Sequence, residues 1–145
     1  MSMVTADIKG YDYVPFENIK SINDLEKYID KPTVIEYDTL SPVEFDKLPY
    51  KDKFRVVFLG FATDTPKQLF DHYNRDGKAV ERGRTEKVAE EVCAIGKKNK
   101  AECEKLGYKF FDCKTSELPI AGEVWEYLFN EKREIDLGKK TRFDT

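Results

Sequence analysis

The sequence predicts an α/β domain with a mainly parallel sheet and helices on both faces, a three-layer arrangement. Two observations support this fold class. From residue 33 to residue 129, apolar segments with strand character alternate with amphipathic segments, as in strand–helix–strand units with right-handed crossovers. Residues 56–59 (VVFL) form a continuous apolar run, typical of a strand covered on both faces. Because 40% of the 145 residues are hydrophobic, we expect one domain over residues 1–130, followed by a charged tail over residues 131–145.

The strands are predicted from short runs rich in β-branched and aromatic residues. The two N-terminal runs are open to an antiparallel placement, which the sequence does not decide. The remaining three are expected to pair in parallel, because a helical segment separates each from the next. The predicted strands are residues 3–6, 11–14, 33–38, 54–61 and 108–112.

The helices are predicted from their caps and from apolar spacing. Ser41 and Thr65 each precede a proline and stand three residues before Glu44 and Gln68, which is the capping-box pattern with proline at the first helical position. Gly107 is placed to end a long helix. That helix is expected to bury a stripe made of Val88, Val92, Ile95 and Leu106. The predicted helices are residues 21–30, 41–48, 65–73, 85–106 and 119–129.

Composition excludes several classes of protein. The net charge is −3, from 25 Lys and Arg against 28 Asp and Glu, which argues against a general nucleic-acid binder. No run of residues is apolar enough to span a membrane. Three cysteines without a CxxC pair and a single histidine are too few for a structural zinc site, so no metal or other cofactor is predicted. Reduced thiols predict a cytoplasmic protein.

Residues 33–113 resemble the later part of P-loop nucleoside and nucleotide kinases. The likeness is carried first by residues 34–38 (VIEYD), an apolar strand that ends in an acidic residue. It continues in residues 55–60 (RVVFLG) and 65–70 (TPKQLF), which look like the strand and helix before a kinase lid. An arginine-containing loop, a long charged helix and residues 108–112 (YKFFD) then follow in order. Residues 9–13 (KGYDY) are similar to the nucleotide-monophosphate-binding segment of guanylate kinases.

The sequence departs from these kinases in one decisive respect. The phosphate-binding loop Gly-x-x-x-x-Gly-Lys-[Ser/Thr] is absent, and the nearest segment, residues 138–141 (GKKT), has Arg133 where the first glycine is needed. Without that loop, no ring of backbone N–H groups and no lysine is available to hold a triphosphate. The missing unit also supplies the central strand of such sheets. We therefore expect a sheet rearranged around the N-terminal strands, and two alternatives stay open, which are completion by another chain and a different topology.

Candidate ligand-binding residues fall into two groups. Parallel sheets bind ligands at the carboxyl ends of their strands, which selects the acidic strand ends, the turn at residues 60–64 and the segment at residues 112–113. The resemblance further implies that the loop cations clamp phosphate groups, that a tyrosine stacks on a base, and that Asp38 contacts a sugar hydroxyl or a metal. The predicted ligand-binding residues are Arg75, Arg82, Arg84, Lys78, Tyr11, Tyr13, Asp38 and Glu36.

Each group also has a purely structural interpretation. The acidic strand ends could pair with lysine or arginine, and the loop cations could be balanced by Asp76, Glu81 and Glu86. The tyrosines could belong to the core or to an interface. His72 lacks a nucleophile at a telling spacing and is expected at a helix end, and the cysteines of the long helix are expected to pack.

Three functions stay open at this point. The leading hypothesis is a non-catalytic binding protein with a degenerate kinase-like fold, or pseudoenzyme, that holds a nucleotide or a phosphorylated small molecule. The second is a protein-interaction or inhibitor module that binds a protein partner or forms a homodimer. The third is part of a small-molecule phosphotransferase whose phosphate loop is supplied elsewhere. The sequence favours no enzymatic activity for this chain alone, because it contains no nucleophile and base in a recognisable arrangement.

Overall fold

The computed structural model describes residues 12–14, 18–30, 33–37 and 40–129. The predicted strand at residues 3–6, the candidate residues Tyr11 and Asp38, and the tail at 131–145 lie outside these residues. The strands are β1 (Asp12–Val14), β2 (Thr33–Ile35), β3 (Val57–Gly60) and β4 (Lys109–Asp112). The α-helices are α1 (Pro42–Asp46), α2 (Pro66–Tyr73), α3 (Glu86–Leu106) and α4 (Ala121–Phe129). Short 3-10 helices span Ile22–Tyr28, Lys51–Lys53, Val80–Arg82 and Thr115–Glu117.

The strands form two parallel pairs, so the α/β class is confirmed. β1 pairs with β2, and β3 pairs with β4 in a register that places Gly60 beside Asp112. Within the described part of the chain, each pair is a separate two-stranded sheet. The second N-terminal strand, β1, pairs with β2 in parallel and not in antiparallel orientation. The connection over residues 15–32 is long enough for a crossover, which parallel pairing requires.

The β3–β4 pair has a helix on each face. Successive side chains of a strand point to opposite faces. Phe58 packs with Cys103 of α3, and Gly60 lies against Gly96 of the same helix. Val57 and Leu59 point the other way and pack in the cluster that contains Val124 of α4.

The buried face of α3 differs from the predicted stripe by about one residue. Ile95 is 57% exposed rather than buried. The physical reason is the distance between α3 and the chain after β3. A Cβ atom at Gly96 would lie only 2.6 Å from the carbonyl oxygen of Phe61, so small residues must face the sheet. The residues that α3 buries are Ala89, Cys93, Gly96 and Cys103.

The helix ends follow the predicted local chemistry. Ser41 Oγ accepts a hydrogen bond from the Glu44 N–H at 3.1 Å, which caps α1. Thr65 and Gln68 form a complete capping box at the start of α2. Gly107, with φ of 83°, ends α3, and its N–H donates to the Cys103 carbonyl at 2.8 Å. Caps depend on residues three or four apart, which is why the sequence was sufficient to predict them.

Helix α4 joins the two strand pairs. Its residues Ala121 and Trp125 pack against Val34 of β2, while Val124 belongs to the cluster below β3 and β4. Leu128 contacts both clusters. Both parallel pairs therefore share α4 as a supporting helix. No helix within the described ranges is both long enough and apolar enough to cross a membrane.

Candidate functional site

The carboxyl ends of β3 and β4 meet at one edge, and Asp112 is the central polar residue there. Its carboxylate accepts a hydrogen bond from the Ala62 N–H at 3.0 Å and another from the Thr63 hydroxyl. Asp112 stands at the end of β4, whereas Ala62 and Thr63 belong to the connection between β3 and α2. The carboxylate of one strand therefore holds the loop that leaves the other.

Asp64 makes the reciprocal connection. It is 7% exposed, and its Oδ2 accepts a hydrogen bond from the Thr115 N–H at 2.8 Å. The loop after β3 thus holds the loop after β4. Two carboxylates at this edge disfavour a bare phosphate and favour hydroxyl or cationic groups. Among the residues that the structure describes, no group of three or more His, Cys, Asp or Glu side chains is arranged to hold a metal ion.

Cys113 follows Asp112 and acts as a packing group at the same edge. It is 5% exposed, its N–H donates to the Gly60 carbonyl at 2.7 Å, and its thiol contacts the Phe111 carbonyl at 3.8 Å. Burial raises the pKa of the Cys113 thiol to about 12. A thiol with so high a pKa is not a nucleophile at neutral pH. Cys93 and Cys103 are also buried, as predicted, and burial raises the pKa of each.

The loop over residues 74–84, named here the arginine loop, lies beyond this carboxyl edge. Along α3, Cys103 lies level with Phe58 and Gly96 lies level with Phe61. Ala89 is two turns further, about 10 Å along the axis, and it packs with Tyr73. The N-terminal part of α3 therefore extends past the end of β3. The arginine loop directly precedes this part of α3 and so also lies beyond the end of β3.

Arg82 makes the strongest polar contacts of the arginine loop. Its Nη1 donates to Asp76 Oδ2 at 2.6 Å and its Nη2 lies 3.3 Å from Asp76 Oδ1. Nη2 also donates to the Tyr73 carbonyl at 2.8 Å, which caps the last turn of α2. The side-chain hydrogen bond from Arg82 lowers the pKa of Asp76 from 3.8 to about 2.

The other loop cations also gather around the end of α2. Arg75 Nη1 donates to the His72 carbonyl at 2.7 Å. The Arg84 guanidinium lies over the Tyr73 ring, 4.6 Å from its centroid. Lys78 is exposed, and its backbone N–H donates to Asp76 Oδ1 at 3.0 Å. The structure thus brings Arg75, Lys78, Arg82 and Arg84 into one loop around a single helix end.

The loop is less solvated than its composition predicts. Ala79 is fully buried, and its N–H donates to Asn74 Oδ1 at 3.2 Å. Ala79 packs with Leu69, Tyr73 and Cys93, so the middle of the loop is anchored to the helices beneath it. The charged side chains on either side of Ala79 stay at the surface.

Tyr13 and Glu36 meet on the other strand pair. The Tyr13 hydroxyl donates to Glu36 Oε1 at 3.0 Å, and the Glu36 N–H donates to the Val14 carbonyl. This contact links the ends of β1 and β2. Both residues belong to the predicted ligand-binding set, and the structure brings them together with each other.

Sequence reasoning did not find the role of Tyr73. Its ring supports Arg84, and its carbonyl accepts from Arg82. The available signal was the position of several arginines just after a predicted helix end, where cationic side chains commonly bond the last carbonyls. The sequence leaves open which carboxylate balances the loop cations, and the structure shows that Asp76 pairs with Arg82.

Comparisons of this chain with protein-family models, with curated proteins and with solved structures found no match. The geometry and chemistry of the described residues are therefore the observations that indicate its function. The two features that bear on it are the carboxyl edge of β3–β4 and the arginine loop that stands beyond that edge.

Proposed function

We propose that this chain is a kinase-like binding domain that holds a nucleotide or a phosphorylated small molecule and does not transfer phosphate by itself. The position of the arginine loop carries the proposal. Four cations within residues 75–84 stand beyond the carboxyl edge of a parallel strand pair, which is where open α/β sheets bind their ligands. Guanidinium groups suit phosphate because their N–H donors match two oxygens at once.

The carboxyl edge of β3–β4 and the arginine loop suit different parts of such a ligand. The half-buried carboxylate of Asp112 suits a hydroxyl group of a sugar, whereas the loop cations suit the anionic end. In the same proposal, Glu36 and Tyr13 contact the ligand from the side of β1–β2, and Asp38 and Tyr11 keep the ligand-binding roles that the resemblance implies. In this proposal, the strands and the helices on both of their faces form a three-layer, kinase-like fold.

The absence of phosphate transfer rests on the start of α2. This helix follows β3 at the carboxyl edge, where a phosphate loop would need free N–H groups. The Gln68 N–H already donates to the Thr65 hydroxyl at 3.2 Å, and the Thr65 N–H donates to Gln68 Oε1 at 2.8 Å. The helix thus satisfies these donors internally, and the sequence contains no Gly-x-x-x-x-Gly-Lys-[Ser/Thr] loop elsewhere.

Isothermal titration calorimetry with nucleoside mono-, di- and triphosphates and cyclic nucleotides tests the proposal. We expect at least one to bind, and we expect a double substitution, Arg75→Ala with Lys78→Ala, to weaken binding by about tenfold. Lys67→Ala is the matched control, because Lys67 is an exposed cation of α2 paired with Asp71 outside the loop. Its affinity should stay within about twofold of wild type. If the wild-type protein bound none of these nucleotides, the proposal would be rejected.

A second candidate is a phosphotransferase whose phosphate loop comes from another polypeptide. It is favoured by the two separate parallel pairs on α4, because neither of the two outer edges of each pair is joined to a strand among the described residues. A strand inserted between β2 and β3 would join them into one sheet. Fusing a strand–GxxxxGKT–helix unit to the amino terminus should then raise the melting temperature, whereas the same unit with proline in its strand should not. Equal melting temperatures for both fusions would count against this candidate.

The same edges could instead be covered by a protein partner or by a second copy of the chain. Light scattering coupled to gel filtration distinguishes these cases, since a homodimer doubles the mass. A cytoplasmic location belongs to the proposal as well. The three cysteines are free and buried in the structure, which is in keeping with a reducing compartment.

A further inference from the structure

The Arg82–Asp76 pair has the geometry by which arginine binds a phosphate. Two guanidinium nitrogens approach the two oxygens of one carboxylate, at 2.6 and 3.3 Å. Such a forked contact is equally suited to carboxylate and to phosphate oxygens. The loop thus presents its own anion, the Asp76 carboxylate, to Arg82.

The backbone of the loop is held while this side-chain pair stays exposed. Ala79 anchors the loop in the core, and the Asp76 carboxylate additionally accepts from the Lys78 N–H. The side chains of Arg82 and Asp76 are 40% and 49% exposed. Pairs this exposed contribute little to stability, because water screens the two charges. Gly77 follows Asp76 and Gly83 follows Arg82, with φ of 75° and 74°, and a Cβ atom added at either glycine would meet no atom within 4 Å.

Charge favours an exchange of anions at Arg82. Asp76 offers one negative charge, whereas a di- or triphosphate offers several, and the same loop carries two further exposed cations, Arg75 and Lys78. The charge of Glu81 also acts on Arg82 and helps to raise the pKa of Arg82. A polyphosphate therefore replaces a weak exposed partner, while the Arg82 bond to the Tyr73 carbonyl can persist.

We propose that Asp76 is an internal competitor for Arg82, which occupies the guanidinium until a polyphosphate ligand displaces it. This inference rests on the proposed function for the identity of the physiological ligand. Asp76 then sets the affinity of the arginine loop for that ligand. After displacement the Asp76 carboxylate remains close to the bound phosphates and repels them. Asp76 thereby lowers affinity twice, first by competition and then by repulsion.

The test is a comparison of Asp76→Asn with Asp71→Asn, using inorganic tripolyphosphate and ATP as probes in calorimetry. Asp71 is the matched control, because it is an exposed carboxylate in a salt bridge with Lys67 on α2. We expect Asp76→Asn to bind tripolyphosphate about three- to tenfold more tightly than wild type, and Asp71→Asn to stay within about twofold. Adding Arg82→Lys to Asp76→Asn should remove most of the gain, since lysine keeps the charge but lacks the fork.

The outcomes separate this inference from the proposed function. Equal tripolyphosphate affinities for the Asp76→Asn and Asp71→Asn variants would overturn the inference, whether or not the wild type binds nucleotides. Tighter tripolyphosphate binding by Asp76→Asn, with no nucleotide bound by any variant, would support the inference and reject the proposed function. Failure of every variant to bind tripolyphosphate would overturn the inference. Thermal melting of each variant confirms that the comparison is made between folded proteins.

Discussion

Substitution of Gly96 by alanine is the sharpest test of how α3 packs. The added Cβ would lie 2.6, 2.8 and 2.9 Å from the O, C and N atoms of Phe61, well inside the 3.4 Å at which ordinary contact begins. All three are backbone atoms, so no flexible side chain can move aside. Overpacking of this kind costs about 3 kcal/mol, and the better helix propensity of alanine returns about 1 kcal/mol. We expect a net loss of about 2 kcal/mol in the free energy of unfolding.

The loss is measured by urea denaturation and by thermal melting. For a chain of this length, about 2 kcal/mol corresponds to a fall in melting temperature of about 4–8 °C. Gly122→Ala is the matched control, because Gly122 lies in α4 and nothing stands within 4 Å of the Cβ it would gain. That variant should be as stable as wild type or up to about 1 kcal/mol more stable. A Gly96→Ala protein as stable as Gly122→Ala would refute the close approach of α3 to the chain after β3.

Three further predictions concern the carboxyl edge, the arginine loop and the thiols. Asp112→Ala leaves the buried Ala62 N–H without its acceptor and should lower the free energy of unfolding by about 1–3 kcal/mol in urea, with a smaller loss for Asp112→Asn. The pKa of Asp76 is lowered from 3.8 to about 2, so its stabilising contribution is complete above about pH 5 and is lost as the pH falls from 4 to 2. The difference in melting temperature between wild type and Asp76→Asn should shrink over that interval, and a constant difference would contradict it. With a pKa of about 12, the fraction of Cys113 in the thiolate form at pH 8 should be about a thousandfold smaller than that of a free cysteine. Ellman's reagent, which reacts with thiolates, should therefore label Cys113 only when the protein unfolds.

Much of the secondary structure could be predicted because its causes are local. The capping box of Thr65 and Gln68 and the left-handed Gly107 depend on residues within one turn, and both formed as expected. The face of α3 could not be predicted in this way. Apolar spacing selected Ile95, but burial is decided by what packs against the helix, and there the chain at Phe61 admits only a glycine.

The candidate site was likewise predictable from the sequence only in part. The sequence identified the turn after β3, the end of β4 and the loop cations as polar groups at chemically meaningful positions. It did not pair them, because Asp64 and Thr115 are far apart in the chain and only the parallel register of β3 and β4 brings their loops together. The partners of Arg82 likewise depend on how the chain turns after α2.

By itself, the sequence determined the α/β class, the positions of most helices and the lack of a phosphate-binding loop, since each depends on short-range patterns of residues. Only the tertiary structure decided that the strands form two parallel pairs on α4, that small residues of α3 face the sheet, and that Asp76 binds Arg82. These features are set by packing distances and by hydrogen bonds between segments. They follow from the three-dimensional path of the chain, which the order of residues along it does not show directly.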